Sequence, residues 1–282
     1  MDSNDLNPSA IQAGLRTGWL GRAYHYVERI DSTNDRLKAW AADPACPAGT
    51  VLLADHQTAG RGRLDRRWEA PAGVALLFSV LLRPGWPAER GVWLTMLAGV
   101  AVAEAIEATT GLSLSLKWPN DVVLRVSGGW GKVGGILLDA ALDGDGRLAH
   151  AVVGIGLNVN VPPDALPDAA STPGALPAAS LLTAIGQPTS RRTLLVALLQ
   201  RLEAYYDAAN AGHSPHAPWN ARLIMLGRPV RVSAAGSAAP LLGVAEATDE
   251  WGRLLVRDAA GTRHAVAAGD VTLREDVAKD DC

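Results

Sequence analysis

Residues 74–82 (VALLFSVLL) place the tightest limit on what this chain can fold into. Side chains alternate between the two faces of a strand, and here both faces are apolar. Such a strand belongs inside a sheet covered on both sides by helices. The helices to cover it are present. Residues 92–108 are alanine-rich and periodic, with Trp93, Leu97, Val100 and Ile106 near one face and Gly111 placed to end the helix. Residues 193–211 carry Leu194, Leu198, Leu202 and Tyr205 at helical spacing. Ser32 and Asp35 have the spacing of a weak capping box before a helix over 33–42. A helical pattern resumes at Leu181, and a short helix is expected over 219–226. Further strands are expected near Val27 and Ile30 and over 50–54, 113–118, 122–126, 133–138 and 149–157, divided by Gly/Asp turns. Residues 55–73 read as one long polar loop, and the Pro/Ala-rich stretch 161–180 as a surface loop.

From Pro229 the pattern changes to short strands and turns: PVRVSA, PLLGVAEAT, GRLLVRD, TRHAVAA and DVTLR. Five strands in so short a span predict a small closed barrel. The expected organisation is a tail or short helix over 1–26, an α+β domain with a mixed β-sheet and packed helices over 27–227, and a β barrel over 228–282.

Composition excludes several classes. The 282 residues carry a net charge of −3, which gives no support to wholesale nucleic-acid or anionic-membrane binding. The two cysteines, Cys46 and Cys282, do not make a disulfide framework. The N-terminus MDSNDLNPSA lacks the basic and apolar regions of a secretory signal, and no run of 18 apolar residues suggests a membrane span. Cytoplasmic location is the expectation.

Three polar segments, each bounded by glycines or a turn, carry the chemistry. In the first, Gln57, Gly60, Arg61, Arg63, Arg66, Arg67 and Trp68 belong to the run QTAGRGRLDRRW. Four arginines against one aspartate between 60 and 68 give a local charge of +3. Guanidinium forks suit carboxylate and phosphate oxygens, glycines let backbone N–H groups approach a ligand, and Trp68 could stack on a planar ring. The same run would also suit a solvated basic loop or a nucleic-acid contact. In the second, Lys117, Trp118, Pro119, Asn120 and Asp121 follow a strand. Asn120 and Asp121 suit Mg²⁺ and phosphate-bound water, with Lys117 as a nearby positive charge. An ordinary Asx turn is the other reading. In the third, Lys132 enters a strand that contains Gly134 and Gly135, glycines that weaken a strand unless a ligand comes close. Gly154, Gly156 and Asn158 repeat the theme in the run GIGLNVN.

The chain lacks GxxxxGK[ST], HExxH, CxxC and GxSxG. Its six histidines are scattered. Lysines, arginines and glycines without an obvious nucleophile fit a site that stabilises developing negative charge.

In order and spacing these segments resemble the biotin–protein ligase family. Ser32, Thr33 and Asn34 resemble its Ser-Thr-Asn, Gly60 to Arg63 its Gly-Arg-Gly-Arg loop, and Lys117 to Asp121 its signature pentapeptide. Lys132 to Leu137 resemble its Lys-Leu-Ala/Gly-Gly-Ile segment, and Gly154 to Asn158 the strand that follows. The resemblance covers 27–160 closely and the C-terminal strands loosely. It implies a class II aminoacyl-tRNA synthetase/biotin ligase-like domain and an SH3-like β barrel. It implies a biotin pocket built by Ser32, Thr33, Gln57, Gly60, Arg61, Arg63, Gly134 and Gly135. Asn120 and Asp121 would face ATP and Mg²⁺, with Asp121 the metal candidate. Arg63, Arg66, Arg67 and Trp68 would take the nucleotide side, and Lys132 the activated carboxyl group. Lys132, Arg61 and Arg63 are thereby the implied catalytic residues. The implied partner is the biotin carboxyl carrier domain of a biotin-dependent carboxylase, with monomer and homodimer both open. About 26 residues precede the first strand, too few for the DNA-binding domain some members carry, so no DNA partner is expected. Two positions depart from the family pattern: Asp65 stands where glycine is common, and Asp139 where glutamate is. The alternatives are a lipoate–protein ligase or octanoyltransferase and, from another class, a non-catalytic RNA-binding protein.

Overall fold

The computed structural model describes residues 6–64, 66–167, 175–233 and 239–273. Asp65, Cys282 and the middle of the expected 161–180 loop lie outside the described residues.

Strand β3 (Leu76–Leu82) shows why residues 74–82 were so restrictive. All seven of its residues are buried. Leu76, Phe78, Val80 and Leu82 face the main core, while Leu81 packs on the opposite side with Leu37, Ala41, Leu52 and Val152. Leu77 joins a third cluster with Ala75 and Val161. Burying such side chains contributes about 1.5–3 kcal/mol each, so both faces must be covered. Helices α3 (Gly91–Thr110) and α5 (Arg191–Asn210) lie together beneath the sheet, and α2 (Thr33–Ala41) lies above it.

The sheet has seven strands in the order β1-β2-β3-β7-β6-β5-β4. They are β1 (Tyr24–Ile30), β2 (Val51–Gln57), β3, β4 (Leu114–Lys117), β5 (Asp121–Val126), β6 (Gly129–Leu142) and β7 (Leu148–Leu157). Only β1 and β2 run parallel; the other neighbours are antiparallel. The expected mixed sheet with packed helices is therefore present. Two strands outrun the pattern that announced them. β2 continues to Gln57, so that residue ends a strand rather than lying in a loop. β6 starts at Gly129 because its backbone pairs with β5 from there, and β7 joins on the other side from Gly134. Ladder hydrogen bonds need no side chain.

Helix α3 is buried nearly all round rather than on one stripe, as suits a central helix. With the turn before it, it is long and apolar enough to cross a membrane, but two-thirds (67%) of that window is buried in the protein core. Gly111 ends it with a left-handed φ of 75°. Among the described residues the main unit also has three short α-helices: α1 (Pro8–Gly14), α4 (Leu181–Ile185) and α6 (His216–Asn220).

All five C-terminal strands form, as β8 (Pro229–Ser233), β9 (Leu241–Thr248), β10 (Leu254–Arg257), β11 (Arg263–Val266) and β12 (Asp270–Leu273). The expected SH3-like β barrel does not. The strands make an open antiparallel sheet in the order β11-β10-β9-β8-β12, with β11 and β12 as its two edges. A count of alternating strands cannot fix closure, which requires the first and last strands to share ladder bonds at a matching tilt and shear. Here both edge strands have only four residues, and β11 alternates exposed and half-buried side chains. The inner face of this sheet (Val230, Val232, Ala245, Leu254, Val256 and Val271) joins the main core. Buried Trp118 donates its indole N–H to the Gly252 carbonyl at 2.8 Å and pins the two parts together.

Candidate active site

One cavity gathers the sequence-predicted residues. It has a volume of ≈ 1080 Å³ including its open mouth. Of those residues, Ser32, Thr33, Asn34, Gln57, Arg61, Arg63, Arg66, Arg67, Trp68, Lys117, Asn120, Asp121, Lys132, Gly135 and Gly156 all line it. Gly60, Gly134 and Asn158 do not. Gly60 closes the arginine loop by accepting the Trp68 N–H at 2.9 Å. Gly134 lies under Leu157, and buried Asn158 ties its amide to the Ala179 carbonyl at 3.1 Å.

The end of the cavity beside α2 is a network of neutral hydrogen-bonding groups. Ser32 caps α2 by accepting the Asp35 N–H, which fixes the two residues after it. The Gln57 side-chain oxygen accepts the Thr33 N–H at 2.7 Å and lies 2.9 Å from the Thr33 hydroxyl. That hydroxyl is also 2.8 Å from Ser79 Oγ, and Ser79 donates to Asn34 Oδ1 at 2.5 Å. Asn34 Nδ2 donates to Asp139 Oδ2 at 3.1 Å. Each hydroxyl has one proton. Ser79 has given its own to Asn34, so the Thr33 proton serves either Ser79 or Gln57, not both.

The opposite end is cationic. Pro119 follows Trp118 through a cis peptide bond, and the turn it makes sets Asn120 and Asp121 at the start of β5. Asp121 Oδ1 is 2.6 Å from Lys132 Nζ, and Oδ2 is 3.9 Å from Lys117 Nζ. Burial pulls the Lys117 ammonium below the usual lysine range, more than the nearby Asp121 raises it. Lys132 also lies 5.6 Å over the Trp68 ring. Asn120 donates to the Ile136 carbonyl at 2.7 Å and accepts from Arg63 at 3.3 Å. Burial lowers the Arg63 pKa against the opposing pull of Asp270 and Asp121, but a guanidinium at neutral pH stays charged.

The arginine loop folds back on itself: Gly62 N–H donates to the Arg66 carbonyl at 2.7 Å, and Arg61 bridges to Arg67. Its two sides are held differently. Arg61 reaches Asp35 at 2.6 Å and Asp139 at 3.2 Å. Arg63 donates to the Gly269 carbonyl at 3.3 Å, and Arg66 pairs with Asp270, both acceptors at the start of β12.

The strand glycines make room, as expected, but for protein side chains. A Cβ on Gly154 would collide with Asn34 Oδ1. One on Gly156 would lie 2.7 Å from the Trp68 indole, and one on Gly135 3.3 Å from the same ring. Trp68 thus lies flat on the floor made by β6 and β7. Its indole N–H is buried and has no partner among the described residues.

Sequence reasoning missed Ser79, Asp35 and Asp270, and treated Asp139 only as a departure from a pattern. Ser79 did carry a signal: it is the only polar residue in a nine-residue apolar run. Buried polar side chains need partners, so one there points to a network. Asp270 opens the expected strand DVTLR, and nothing in that short run marked it as a site residue.

Among the described residues no group of three or more His, Cys, Asp and Glu side chains could hold a metal ion. Among the described residues Asp121 and Asp270 offer carboxylates at the cationic end, and Asp270 is already paired with Arg66.

The sequence profile of the biotin/lipoate A/B protein ligase family matches residues 26–158. The chain is 36% identical to the biotin–[acetyl-CoA-carboxylase] ligase of Mycobacterium tuberculosis, over 96% of this chain and 95% of that one. It is 33% identical to the bifunctional ligase/repressor BirA of Bacillus spizizenii, over 93% of this chain and 78% of that one. Among solved structures, the biotin protein ligase of Aquifex aeolicus in complex with biotin and ATP superposes with a TM-score of 0.69. That protein is 28% identical, and the match covers 90% of this chain and 99% of the other.

Proposed function

Because the chain belongs to the biotin–protein ligase family, we propose that it activates biotin with ATP and transfers it to a lysine of a biotin carboxyl carrier domain. The observation that carries the reading is the two-ended cavity. A neutral network of Thr33, Gln57, Asn34 and Ser79 stands at one end, and Lys132, Lys117, Arg63, Arg66 and Arg67 stand at the other. Neutral donors and acceptors suit the cyclic urea of biotin. The cations suit its carboxylate and the phosphates.

The chemistry follows from that polarity. The biotin carboxylate attacks the α-phosphate of ATP, giving biotinyl-5′-adenylate and pyrophosphate. The amine of the acceptor lysine then attacks the mixed anhydride, giving the biotin amide and AMP. Negative charge builds on phosphate oxygens in the first step and on the carbonyl oxygen in the second. Lys132, aimed at the cavity from β6, offsets it in both. Arg61 and Arg63, from one loop, flank the intermediate, and Trp68 shields the floor from water.

Mg²⁺ fits this site as an ion that arrives with ATP. Such ions take one or two carboxylates and complete their shell with water and phosphate oxygens, so the single carboxylate of Asp121 suffices. Bound there, it would neutralise phosphate charge. Residues 27–227 are on this reading the catalytic unit, with 228–282 a second unit that reaches the nucleotide side through Asp270.

One incubation tests the proposal: biotin, MgATP and an apo carrier domain, read by mass gain on the carrier and by pyrophosphate release. The expected result is one biotin added to one lysine. Lipoate in place of biotin separates the alternative ligase; modification with lipoate and none with biotin would refute the proposal.

A further inference from the structure

Two parts of the cavity meet on one carboxylate oxygen. Asp139 lies on β6 with its side chain 17% exposed. Its Oδ2 accepts from Asn34 Nδ2 at 3.1 Å and from Arg61 Nη1 at 3.2 Å, and its Oδ1 is 3.7 Å from Lys38 Nζ. Asn34 belongs to the neutral floor, and Arg61 to the arginine loop.

The carboxylate decides how the floor is wired. A side-chain amide can present either end, but an ionised carboxylate only accepts. Asp139 therefore takes the NH₂ end of Asn34 and turns Oδ1 toward Ser79, whose hydroxyl donates to it. The Ser79 oxygen is then left as an acceptor beside Thr33, and Gln57 Oε1 holds the Thr33 N–H. Gly154 leaves the space in which Asn34 makes this turn. On the loop side, burial lowers the Arg61 pKa, but Asp139 and Asp35 together raise it further. The guanidinium is thus docked as a cation on the same oxygen.

We propose that Asp139 is a positioning residue for biotin: it sets the donor–acceptor direction of the floor and docks Arg61 against it. Ring recognition and loop position are thereby coupled through one carboxylate. The inference rests on the biotin reading given above.

Two variants separate the halves of this role. Asp139→Asn keeps an oxygen that can accept from Asn34 but loses the charge that docks Arg61. Asp139→Ala loses both. Asp139→Asn is expected to speed escape of biotinyl-adenylate about 10-fold, the loss of roughly one charge-assisted contact, with the biotin KM within about 3-fold of wild type. Asp139→Ala is expected to raise the biotin KM about 10-fold or more as well. The ATP KM should stay within about 2-fold in both, which a general loss of structure would not allow. In an Arg61→Ala background, Asp139→Asn should add nothing to adenylate escape, because its partner is gone. The proposal is overturned if Asp139→Ala leaves the biotin KM unchanged, or if Asp139→Asn speeds escape equally with and without Arg61. A wild-type protein that makes no biotinyl-adenylate would instead overturn the proposed function.

Discussion

Replacement of Lys132 tests the cationic end most directly. Its ammonium sits 2.6 Å from Asp121 Oδ1 and is 31% exposed, so it is anchored yet open to the cavity. Lys132→Ala has two effects that can be told apart. It removes a positioned charge from where phosphate and carbonyl oxygens become negative, which typically costs about 10²–10³ in rate, or about 2.7–4 kcal/mol. Among the described residues it also leaves Asp121 with only Lys117, 3.9 Å away, as an ion-pair partner, so an undercompensated carboxylate remains in the cavity. The expected fall in kcat/KM for adenylation is about 10³-fold, measured as biotin-dependent pyrophosphate release. Asp121→Asn added to Lys132→Ala removes the second effect, together with the carboxylate proposed for Mg²⁺. The double variant should regain no more than about 10-fold, because the charge on the reacting oxygens is still missing. Recovery to within about 3-fold of wild type would refute the reasoning: Lys132 would then serve only to neutralise Asp121. Wild-type pyrophosphate release by Lys132→Ala would refute it outright.

Trp118→Phe removes the indole N–H that satisfies the buried Gly252 carbonyl and leaves a smaller ring in a site 1% exposed. The cost should be about 2–4 kcal/mol, seen as a lower urea midpoint with an unchanged slope; an unchanged midpoint would show that this contact does not hold the two sheets together. Burial lowers the Lys117 pKa below the ordinary 10.5, so the unfolded chain binds that proton more tightly. Between the folded pKa and 10.5 stability therefore rises with pH, as the penalty on the buried ammonium is relieved. Lys117→Met should raise the midpoint at pH 7 and flatten that rise, checked by urea titrations from pH 7 to 10; parallel curves for the two proteins would contradict the cause assigned.

Much of this protein is written locally. The double-sided apolar pattern of 74–82 required a covered strand, and β3 is one with both faces buried. The spacing of Ser32 and Asp35 placed the start of α2, and Ser32 accepts the Asp35 N–H there. Periods of 2 and 3.6, caps and turn glycines act over a few residues, so they survive in the sequence as patterns. The chemistry of the site was legible for a similar reason. Arginines, lysines and glycines in three short segments name the charges a ligand must carry, whatever the fold.

The rest depends on residues far apart in the chain. Asn34 meets Asp139 across 105 positions and Arg66 meets Asp270 across 204, and no local pattern records such a meeting. The glycines of β6 and β7 promised open space, but only the packed structure shows that Asn34 and Trp68 fill it. The C-terminal strands were countable one by one, whereas their failure to close lies in which edges pair. The sequence by itself determined the elements and the charge of the site, because these follow from local backbone preference and side-chain chemistry. The tertiary structure alone decided that one carboxylate on β6 holds both the neutral floor and the arginine loop, because that contact exists only once α2, β6 and the loop are packed together.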